Sequence, residues 1–510
     1  MLAILNSLGL SGLDGYKMRV EVDINQGLPG YDIVGLVGAS IKESKERIKS
    51  AIKNSGFQYP ILKIIVNLSP ADIKKDSPIY DLPIAVGILC ASDQLDVSKA
   101  RQYVMFGELA LNGNINKVNG ILPMLIYAKQ LGIHKFIIPK ANEKEASFID
   151  GMEIYPVSNL AEAVKFIKGE IAIEKVQVQN FADLMLKSTD GADFKYIKGQ
   201  TQAKRALEIA AAGGHNVLLI GPPGSGKTML AKAFPSILPD LTFEEALEIS
   251  KIHSIAGTLD SNMGILTHRP FRSPHHTATT IALTGGGRGA KPGEISLTHN
   301  GVLFLDEMPE YSRNTLETLR QPLEDGVITV SRLEASIIYP ANFTLIASMN
   351  PCPCGNFGST TKECKCTPQA IRKYLNKLSG PLMDRIDMHI EVDNVNYEDL
   401  RAEVNEEPSS EIKKRVDKAR AIQLERFKNS SNYANAKMND RQIKQFCKIN
   451  DESDALLRVA FERLNLSARA YNRILKVART IADLEGSEEI KEEHIMEAIS
   501  YRSLDNKYWS

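Results

Sequence analysis

The stretch NVLLIGPPGSGKTMLAKAF, residues 216–234, decides the fold of this chain. Its apolar start predicts a buried strand and its end a helix, the context that a phosphate-binding loop requires. The glycines let successive backbone N–H groups turn toward phosphates, Lys227 can reach the terminal phosphates, and the Thr228 hydroxyl can bind Mg²⁺. The residues predicted to bind ATP are Gly221, Pro222, Pro223, Gly224, Ser225, Gly226, Lys227 and Thr228.

Two further apolar runs also end in polar residues. GVLFLDE, residues 301–307, ends in Asp306 and Glu307, and FTLIASMN, residues 343–350, ends in Asn350. Buried apolar strands of this kind fit a parallel sheet covered on both faces. Asp306 is predicted to bind Mg²⁺ through its hydration shell and Glu307 to deprotonate the attacking water. Asn350 is predicted to hold that water; a lone Asn at this place would otherwise be a turn residue.

Composition limits the alternatives. The chain has 510 residues, 43% hydrophobic and 24% charged, which is typical of a folded protein of several domains. Its 62 basic and 62 acidic residues balance, so contact with nucleic acid must come from a local patch. No apolar run approaches the roughly 18 residues of a membrane span. No basic segment precedes the apolar N-terminus, so we expect no secretory signal, no membrane contact and a cytoplasmic protein.

The motifs together resemble those of AAA+ ATPases, and among them the magnesium-chelatase-like branch that the YifB and ComM proteins represent. The resemblance rests on IKGQTQAKRALEIAAAGGHNVLLIGPPGSGKT, RPFRSPHHTATTIALTGGGRGAKPGEISLTHNGVLFLDEMPE, SMNPCPCG, SGPLMDRIDMHIEV and SARAYNRILKVARTIADLEG. It implies ATP and Mg²⁺ as cofactors. It also implies that Lys227 and Thr228 form the Walker A pair, that Asp306 and Glu307 form Walker B, and that Asn350 is sensor 1.

Two arginines complete this set. The resemblance places an arginine finger at Arg385, in PLMDRID, and sensor 2 at Arg469, in LSARAYNR. A guanidinium set against the transferring phosphoryl group raises the rate by roughly 10³- to 10⁵-fold. An arginine finger supplied by a neighbouring subunit would make hydrolysis depend on assembly, and the resemblance implies a nucleotide-dependent hexameric homo-oligomer. The alternative for each arginine is a salt bridge of the fold.

The expected fold class is multidomain α/β, with an N-terminal Lon-protease-like α+β domain of the ribosomal S5 domain 2-like type. The expected boundaries are 1–168 for that domain, 169–193 for a linker, 194–392 for the AAA+ core and 393–510 for a helical lid of the magnesium-chelatase C-terminal type. KKDSPIYDLPIAVGILCAS and FGELALNGNINKVNGILPMLIYAKQLGI carry the resemblance to Lon-type proteases. Ile79 and Leu122 occupy the positions of the Ser nucleophile and the Lys base, so we expect no peptide cleavage. A shifted alignment using Ser77 is the alternative.

A cysteine cluster follows Asn350 directly. CPCGNFGSTTKECKC contains Cys352, Cys354, Cys364 and Cys366 as two CxC pairs. Two such pairs across a short loop can form a tetrahedral structural zinc site, and a cluster of free thiols and a redox pair are the alternatives.

Three cations are candidates for DNA contact. Arg332 lies in a predicted hairpin before the sensor strand, and Arg288 and Lys291 lie in the flexible stretch TGGGRGAKPGE. Loops with cations suit sliding contact with a polyanion, whereas an ordinary solvated loop is the alternative. The sequence therefore predicts a DNA-stimulated ATPase: a ring motor on single-stranded or branched DNA, a helicase or branch-migration enzyme of recombination or natural transformation. The alternative is a chelatase-like protein-remodelling ATPase without a DNA substrate.

Overall fold

The computed structural model describes residues 1–185, 192–287, 289–331, 336–358, 362–394, 406–430, 432–464 and 466–509. The chain combines sheets and helices, as predicted for a mixed α/β protein, and two of the sheets formed by the described residues are entirely parallel. None of the described helices is both long and apolar enough to cross a membrane.

The N-terminal part contains a four-stranded sheet in the order β1-β2-β4-β3 and a parallel three-stranded sheet in the order β5-β8-β9. Its strands are β1 (Leu2–Ser11), β2 (Asp14–Asn25), β3 (Gly30–Val34), β4 (Lys63–Ser69), β5 (Val104–Met105), β6 (Glu108–Leu109), β7 (Ile115–Asn116), β8 (Lys135–Pro139) and β9 (Glu153–Val157). Its helices are α1 (Ala39–Lys42), α2 (Ser44–Asn54), α3 (Asp81–Ala91), α4 (Val97–Ala100), α5 (Ile121–Gln130), α6 (Glu143–Ala146) and α7 (Leu160–Lys168). Every residue of α3 is buried, because apolar residues surround this helix on all sides.

The central part is built on a five-stranded sheet in the order β11-β14-β17-β10-β18, in which all neighbours are parallel. The strands of this part are β10 (Val217–Ile220), β11 (Phe271–Arg272), β12 (Gly285–Gly286), β13 (Lys291–Pro292), β14 (Val302–Leu305), β15 (Val327–Ser331), β16 (Ser336–Pro340), β17 (Thr344–Met349) and β18 (Met388–Glu391). Its helices are α8 (Phe181–Met185), α9 (Thr201–Gly213), α10 (Lys227–Ala233), α11 (Phe243–Ala256), α12 (Thr280–Thr284), α13 (Glu294–Leu297), α14 (Arg313–Glu317), α15 (Arg320–Asp325), α16 (Pro368–Leu375) and α17 (Gly380–Met383).

Strand β10 shows why this sheet is apolar on both faces. Val217 and Leu219 pack into one hydrophobic core, and Leu218 and Ile220 pack into another on the opposite face. Successive side chains of a strand point to opposite faces, so a strand covered on both sides needs an unbroken apolar run. The polar residues that follow β10, β14 and β17 therefore mark the strand ends.

The described residues of the C-terminal part are mainly helical, whereas the helical lid stays a prediction. The helices of this part are α18 (Ser409–Arg426), α19 (Asp440–Phe446), α20 (Asp451–Arg463), α21 (Ala468–Leu484), α22 (Glu492–Ser500) and α23 (Leu504–Trp509). Short 3₁₀ turns occur at Pro78–Tyr80, Lys140–Asn142, Phe194–Tyr196, Phe234–Ile237, Met308–Glu310 and Asn435–Lys437. The three boundaries that divide the sequence into four segments stay predictions.

Candidate nucleotide site

The predicted phosphate-binding loop, residues 221–228, follows β10 and includes the first two residues of α10. Gly226 precedes the first residue of α10 with a φ of 90°, a left-handed conformation that glycine adopts without steric cost. The N-terminus of α10 therefore opens directly onto the loop, and its free N–H groups and positive dipole end favour an anion there.

Lys227 ties the loop to the neighbouring strand. Its Nζ donates to the carbonyl oxygens of Gly221 at 2.7 Å and Pro222 at 2.8 Å, and it lies 3.4 Å from the Asn350 side-chain oxygen. Burial lowers the pKa of the Lys227 ammonium to about 8, although the nearby carboxylates of Asp306 and Glu307 oppose this shift. A nearby anion stabilises the protonated, positively charged form of this amine. A phosphate bound in the loop would therefore keep Lys227 charged.

Asp306 lies at the end of β14, within reach of the loop. The Thr228 hydroxyl donates to its Oδ2 at 3.0 Å, and the Glu307 N–H donates to its Oδ1 at 3.1 Å. A hydroxyl and a carboxylate are the hard oxygen ligands that Mg²⁺ prefers, so this pair fits the ion. Glu307 itself is exposed and has a φ of 50°, a conformation that is rare outside glycine and that turns its side chain out of the strand.

Ser348 is a residue of this site that the sequence reading missed. It is fully buried in β17, its hydroxyl donates to Asp306 Oδ1, and the hydroxyl oxygen accepts from the Glu307 N–H at 3.2 Å. A single polar residue in the otherwise apolar run LIASM, two positions before Asn350, is the signal that would have revealed it. Ser348 holds the Asp306 carboxylate in one orientation.

We expect Ser348→Ala to lower kcat for ATP by about tenfold, since an unheld Asp306 carboxylate loses a hydrogen bond worth roughly 1.5 kcal/mol. KM should stay close to the wild-type value, because the Lys227 contacts are unchanged. Steady-state ATPase kinetics measure both constants. Ser348→Thr keeps the hydroxyl and serves as the control, and an equal loss of kcat in both variants would contradict the positioning role.

The structure places Arg385 and Arg469 at the other end of the sheet. The Asn216 side chain, directly before β10, donates to the Arg385 carbonyl at 3.1 Å, whereas the phosphate-binding loop follows the last residue of β10. These four strand residues separate the two ends by roughly 10 Å, before side chains are considered. The backbone of Arg385 thus lies at the end of the sheet opposite to the phosphate-binding loop.

The two arginines border one cationic cavity. It has a volume of about 230 Å³ and is lined by Glu324, Arg385, Asp440, Ile443, Arg469, Asn472, Arg473 and Lys476. Arg385 is 8% exposed and pairs with Glu324, while burial first and the neighbouring arginines second lower the pKa of its guanidinium. Arg469 is exposed and lies 3.8 Å from Asp384. Both arginines thus form the salt bridges that were the alternative to a role in catalysis. Because basic residues outnumber acidic ones around the cavity, the cavity also favours an anion.

Of the predicted DNA contacts, Lys291 is described and exposed, in the short hairpin formed by β12 and β13. Arg288 and Arg332 lie outside the described residues. β15 and β16 form the predicted hairpin before β17, and the Tyr339 hydroxyl donates to the Ala290 carbonyl at 2.8 Å. This bond joins the two loops that carry the three predicted cations.

The positions of the protease dyad are apolar core residues. Ile79 is 3% exposed and Leu122 is 1% exposed. The Leu122 N–H donates to the Glu145 carboxylate at 3.0 Å, and the Ser254 hydroxyl of α11 donates to the same oxygen. Ser77 is exposed, ahead of the turn Pro78–Tyr80. The segment predicted to correspond to the region of the Lys base contacts α11 through Glu145.

The four cysteines of the cluster meet, as their pairing predicted. The sulfur atoms of Cys352, Cys354, Cys364 and Cys366 all lie within 4.8 Å of one another, and all four are free thiols. The arrangement is compatible with a metal site.

Comparisons with known proteins agree with this geometry. Residues 193–400 match the family "Magnesium chelatase, subunit ChlI", residues 20–142 match "Subunit ChlI of Mg-chelatase", and residues 406–502 match "Magnesium chelatase, subunit ChlI C-terminal". The competence protein ComM of Haemophilus influenzae is 44% identical over 99% of this chain and 98% of its own length. The uncharacterised protein YifB of Escherichia coli is 44% identical over 99% of this chain and 97% of its own length. A Lon protease of Leptospira interrogans is 26% identical over 41% of this chain and 26% of its own length.

Proposed function

The chain belongs to the YifB/ComM family of magnesium-chelatase-like proteins, and from this membership we propose that it is an ATP-hydrolysing AAA+ ring motor acting on DNA. The observation that carries the ATPase part is the convergence of Lys227, Thr228, Asp306 and Asn350 at the carboxyl ends of β10, β14 and β17. Three adjacent parallel strands bring residues from distant parts of the sequence to one edge, where nucleotides bind in open α/β sheets.

In this proposal the chain's own residues perform the steps of hydrolysis. Lys227 and the loop N–H groups bind the phosphates, and Thr228 and Asp306 hold Mg²⁺, whose charge offsets that of the phosphates. Glu307 accepts a proton from the attacking water, and Asn350 orients that water. Ser348 keeps Asp306 in place.

The proposal includes assembly. Arg385 and Arg469 border one cavity whose lining includes no residue of the phosphate-binding loop, so in this proposal they serve as arginine finger and sensor 2 for a nucleotide bound to a neighbouring subunit. A head-to-tail contact that repeats this pairing forms a ring where its rotation closes, and a ring is what we propose. The family resemblance suggests six subunits, with assembly dependent on the nucleotide.

We assign the parts of the chain accordingly: 1–168 as a Lon-protease-like domain without the dyad, 169–193 as a linker, 194–392 as the AAA+ core and 393–510 as a helical lid. The N-terminal domain supports ring assembly and DNA contact. The cytoplasm is the proposed location, since ATP and chromosomal DNA are available there.

DNA is the proposed substrate because a described cation, Lys291, lies in a glycine-rich hairpin that contacts the neighbouring hairpin of β15 and β16. Lys291 is exposed beside the hairpin of β15 and β16, and the Tyr339–Ala290 bond holds the two loops together. The name of the relative ComM, a competence protein, points to natural transformation, and branched or single-stranded DNA is the form that helicase or branch-migration activity requires.

We expect DNA to raise ATP turnover severalfold and added salt to remove the effect, because phosphate contacts release counterions. The measurement compares turnover without DNA and with single-stranded, duplex and four-way-junction DNA. Glu307→Gln, which should bind ATP without hydrolysing it, provides the blank. Lys291→Glu should reduce the stimulation while leaving basal turnover unchanged.

Lys448→Glu makes the same charge change on an exposed lysine of the helical C-terminal part and is the matched control. Unchanged turnover with every DNA would overturn the DNA proposal and favour the protein-remodelling alternative. The ATPase proposal would survive that result, since it depends only on hydrolysis above the blank.

A further inference from the structure

The cysteine cluster has the dimensions of a four-sulfur metal site. The Sγ of Cys352 lies 3.4 Å from that of Cys354 and 3.7 Å from that of Cys364, and Cys354 and Cys364 are 3.6 Å apart. A zinc ion bound by four thiolates at about 2.3 Å places the sulfur atoms about 3.8 Å apart at the corners of a tetrahedron. The observed separations are close to that value, and the four ligands come from two chain segments that face each other.

Backbone groups around the cluster stabilise thiolates. The Phe357 N–H donates to Cys352 Sγ at 3.3 Å. A metal ligand that accepts a hydrogen bond from a neighbouring group keeps its orientation toward the metal. Of the two metals typical of tetrahedral four-sulfur sites, zinc and iron, divalent zinc binds a given site more tightly.

The loop carrying Cys352 and Cys354 packs on the phosphate-binding loop. Gly355 has a φ of +79°, and a Cβ added there would lie 2.4 Å from Cδ of Pro223. Only glycine therefore allows this turn to approach the phosphate-binding loop so closely. The cluster also begins two residues after Asn350, at the end of β17.

The same loop contacts the C-terminal helix. The ring of Phe357 lies 6.3 Å from the ring of Tyr508 in an edge-on arrangement. On α23, Lys507 pairs with Glu391 at 2.6 Å, and Glu391 is the β18 residue beside Ile220. Three structural elements thus meet at the cysteine loop: the phosphate-binding loop, the end of β17 and α23.

We propose that Cys352, Cys354, Cys364 and Cys366 bind one zinc ion, and that this ion holds the phosphate-binding loop and α23 in the arrangement that binds ATP. The metal is structural: its four thiolates leave no open position for water or substrate. The second half of the proposal rests on the proposed ATPase function, whereas the zinc site stands without it.

Metal analysis of the purified full-length chain tests the first half. We expect about one zinc per chain in the wild type, and none in the double variant Cys364→Ser/Cys366→Ser. Cys447→Ser changes a buried thiol outside the cluster and should keep the metal. If the double variant does not fold, cobalt(II) added to the metal-stripped wild type supplies a second readout, since four thiolates give it an intense tetrahedral spectrum.

A glycine variant tests the second half without touching a ligand. Gly355→Ala should retain zinc but bind a fluorescent ATP analogue with Mg²⁺ on the order of tenfold more weakly, because the new Cβ displaces Pro223. Gly151→Ala is the matched control: this glycine has a φ of +75° and nothing within 4 Å of an added Cβ. It bears the same backbone strain without a contact to the nucleotide site.

The outcomes separate the two proposals. Absence of zinc from the wild type, iron in its place, or equal zinc in the double variant would overturn the metal site. Unchanged nucleotide affinity in Gly355→Ala would overturn the coupling alone. A wild type that holds zinc and binds no nucleotide would refute the ATPase proposal and, with it, the coupling, while the zinc site would stand.

Discussion

Lys227→Ala is expected to remove nucleotide binding and, with it, ATP turnover. The ammonium donates two charge-assisted hydrogen bonds within the phosphate-binding loop and is buried there, so a phosphate in the loop would take over these donors. Charge-assisted hydrogen bonds contribute roughly 1.5–3 kcal/mol each, so their loss corresponds to a 10²- to 10⁴-fold weaker affinity. Titration with a fluorescent ATP analogue measures it.

Lys232→Ala is the matched control for this prediction. Lys232 lies in the last turn of the same helix, α10, and is exposed to solvent. Its loss should leave both affinity and turnover near the wild-type values. A Lys227→Ala protein that still bound ATP with wild-type affinity would show that residues 221–228 are not the phosphate-binding loop.

Arg385→Ala is expected to lower turnover by roughly 10³- to 10⁵-fold while nucleotide affinity stays within a factor of a few. The backbone of Arg385 lies at the end of the sheet opposite to the loop of residues 221–228, and its guanidinium pairs with Glu324, so we propose that it contributes to hydrolysis across a subunit contact. The fold should tolerate the change, because Glu324, the partner of Arg385, is 55% exposed and can be hydrated.

Mixed assemblies test the action across subunits. Neither Arg385→Ala nor Lys227→Ala subunits should hydrolyse ATP alone, but a mixture should regain part of the activity at interfaces that pair an intact loop with an intact arginine. Arg372→Ala, on an exposed arginine of α16, is the control and should behave as the wild type. Full turnover by Arg385→Ala alone would contradict the arginine-finger role.

Much of the site was predictable because parallel strands obey a local rule. An apolar run of four to six residues followed by polar residues marks a strand and its functional end, and the ends of neighbouring parallel strands meet at one edge. Asp306 and Asn350 could therefore be placed near Lys227 without coordinates. The pairing of the CxC motifs was also visible, because short loops bring such pairs together.

Other features depend on contacts between residues far apart in the chain. Ser348 donates a hydrogen bond to Asp306, Gly355 lies close to Pro223, and the ring of Phe357 contacts the ring of Tyr508. The sequence marks Ser348 as a polar residue in an apolar run, but it does not show the partner of any of these three residues, since each pair is created by the packing of separate elements. The resemblance identified Arg385 and Arg469 as candidate site residues. Only the tertiary structure showed that they border a cavity apart from the phosphate-binding loop.

The sequence by itself determined the strand, glycine-rich loop and helix of residues 217–233 and their place on a parallel sheet, because glycine spacing and apolar runs act over a few residues. The tertiary structure decided that the arginines lie away from that loop and that the cysteine loop packs against it. Both depend on which strands are neighbours and which elements meet, and these relations arise only when the whole chain has folded.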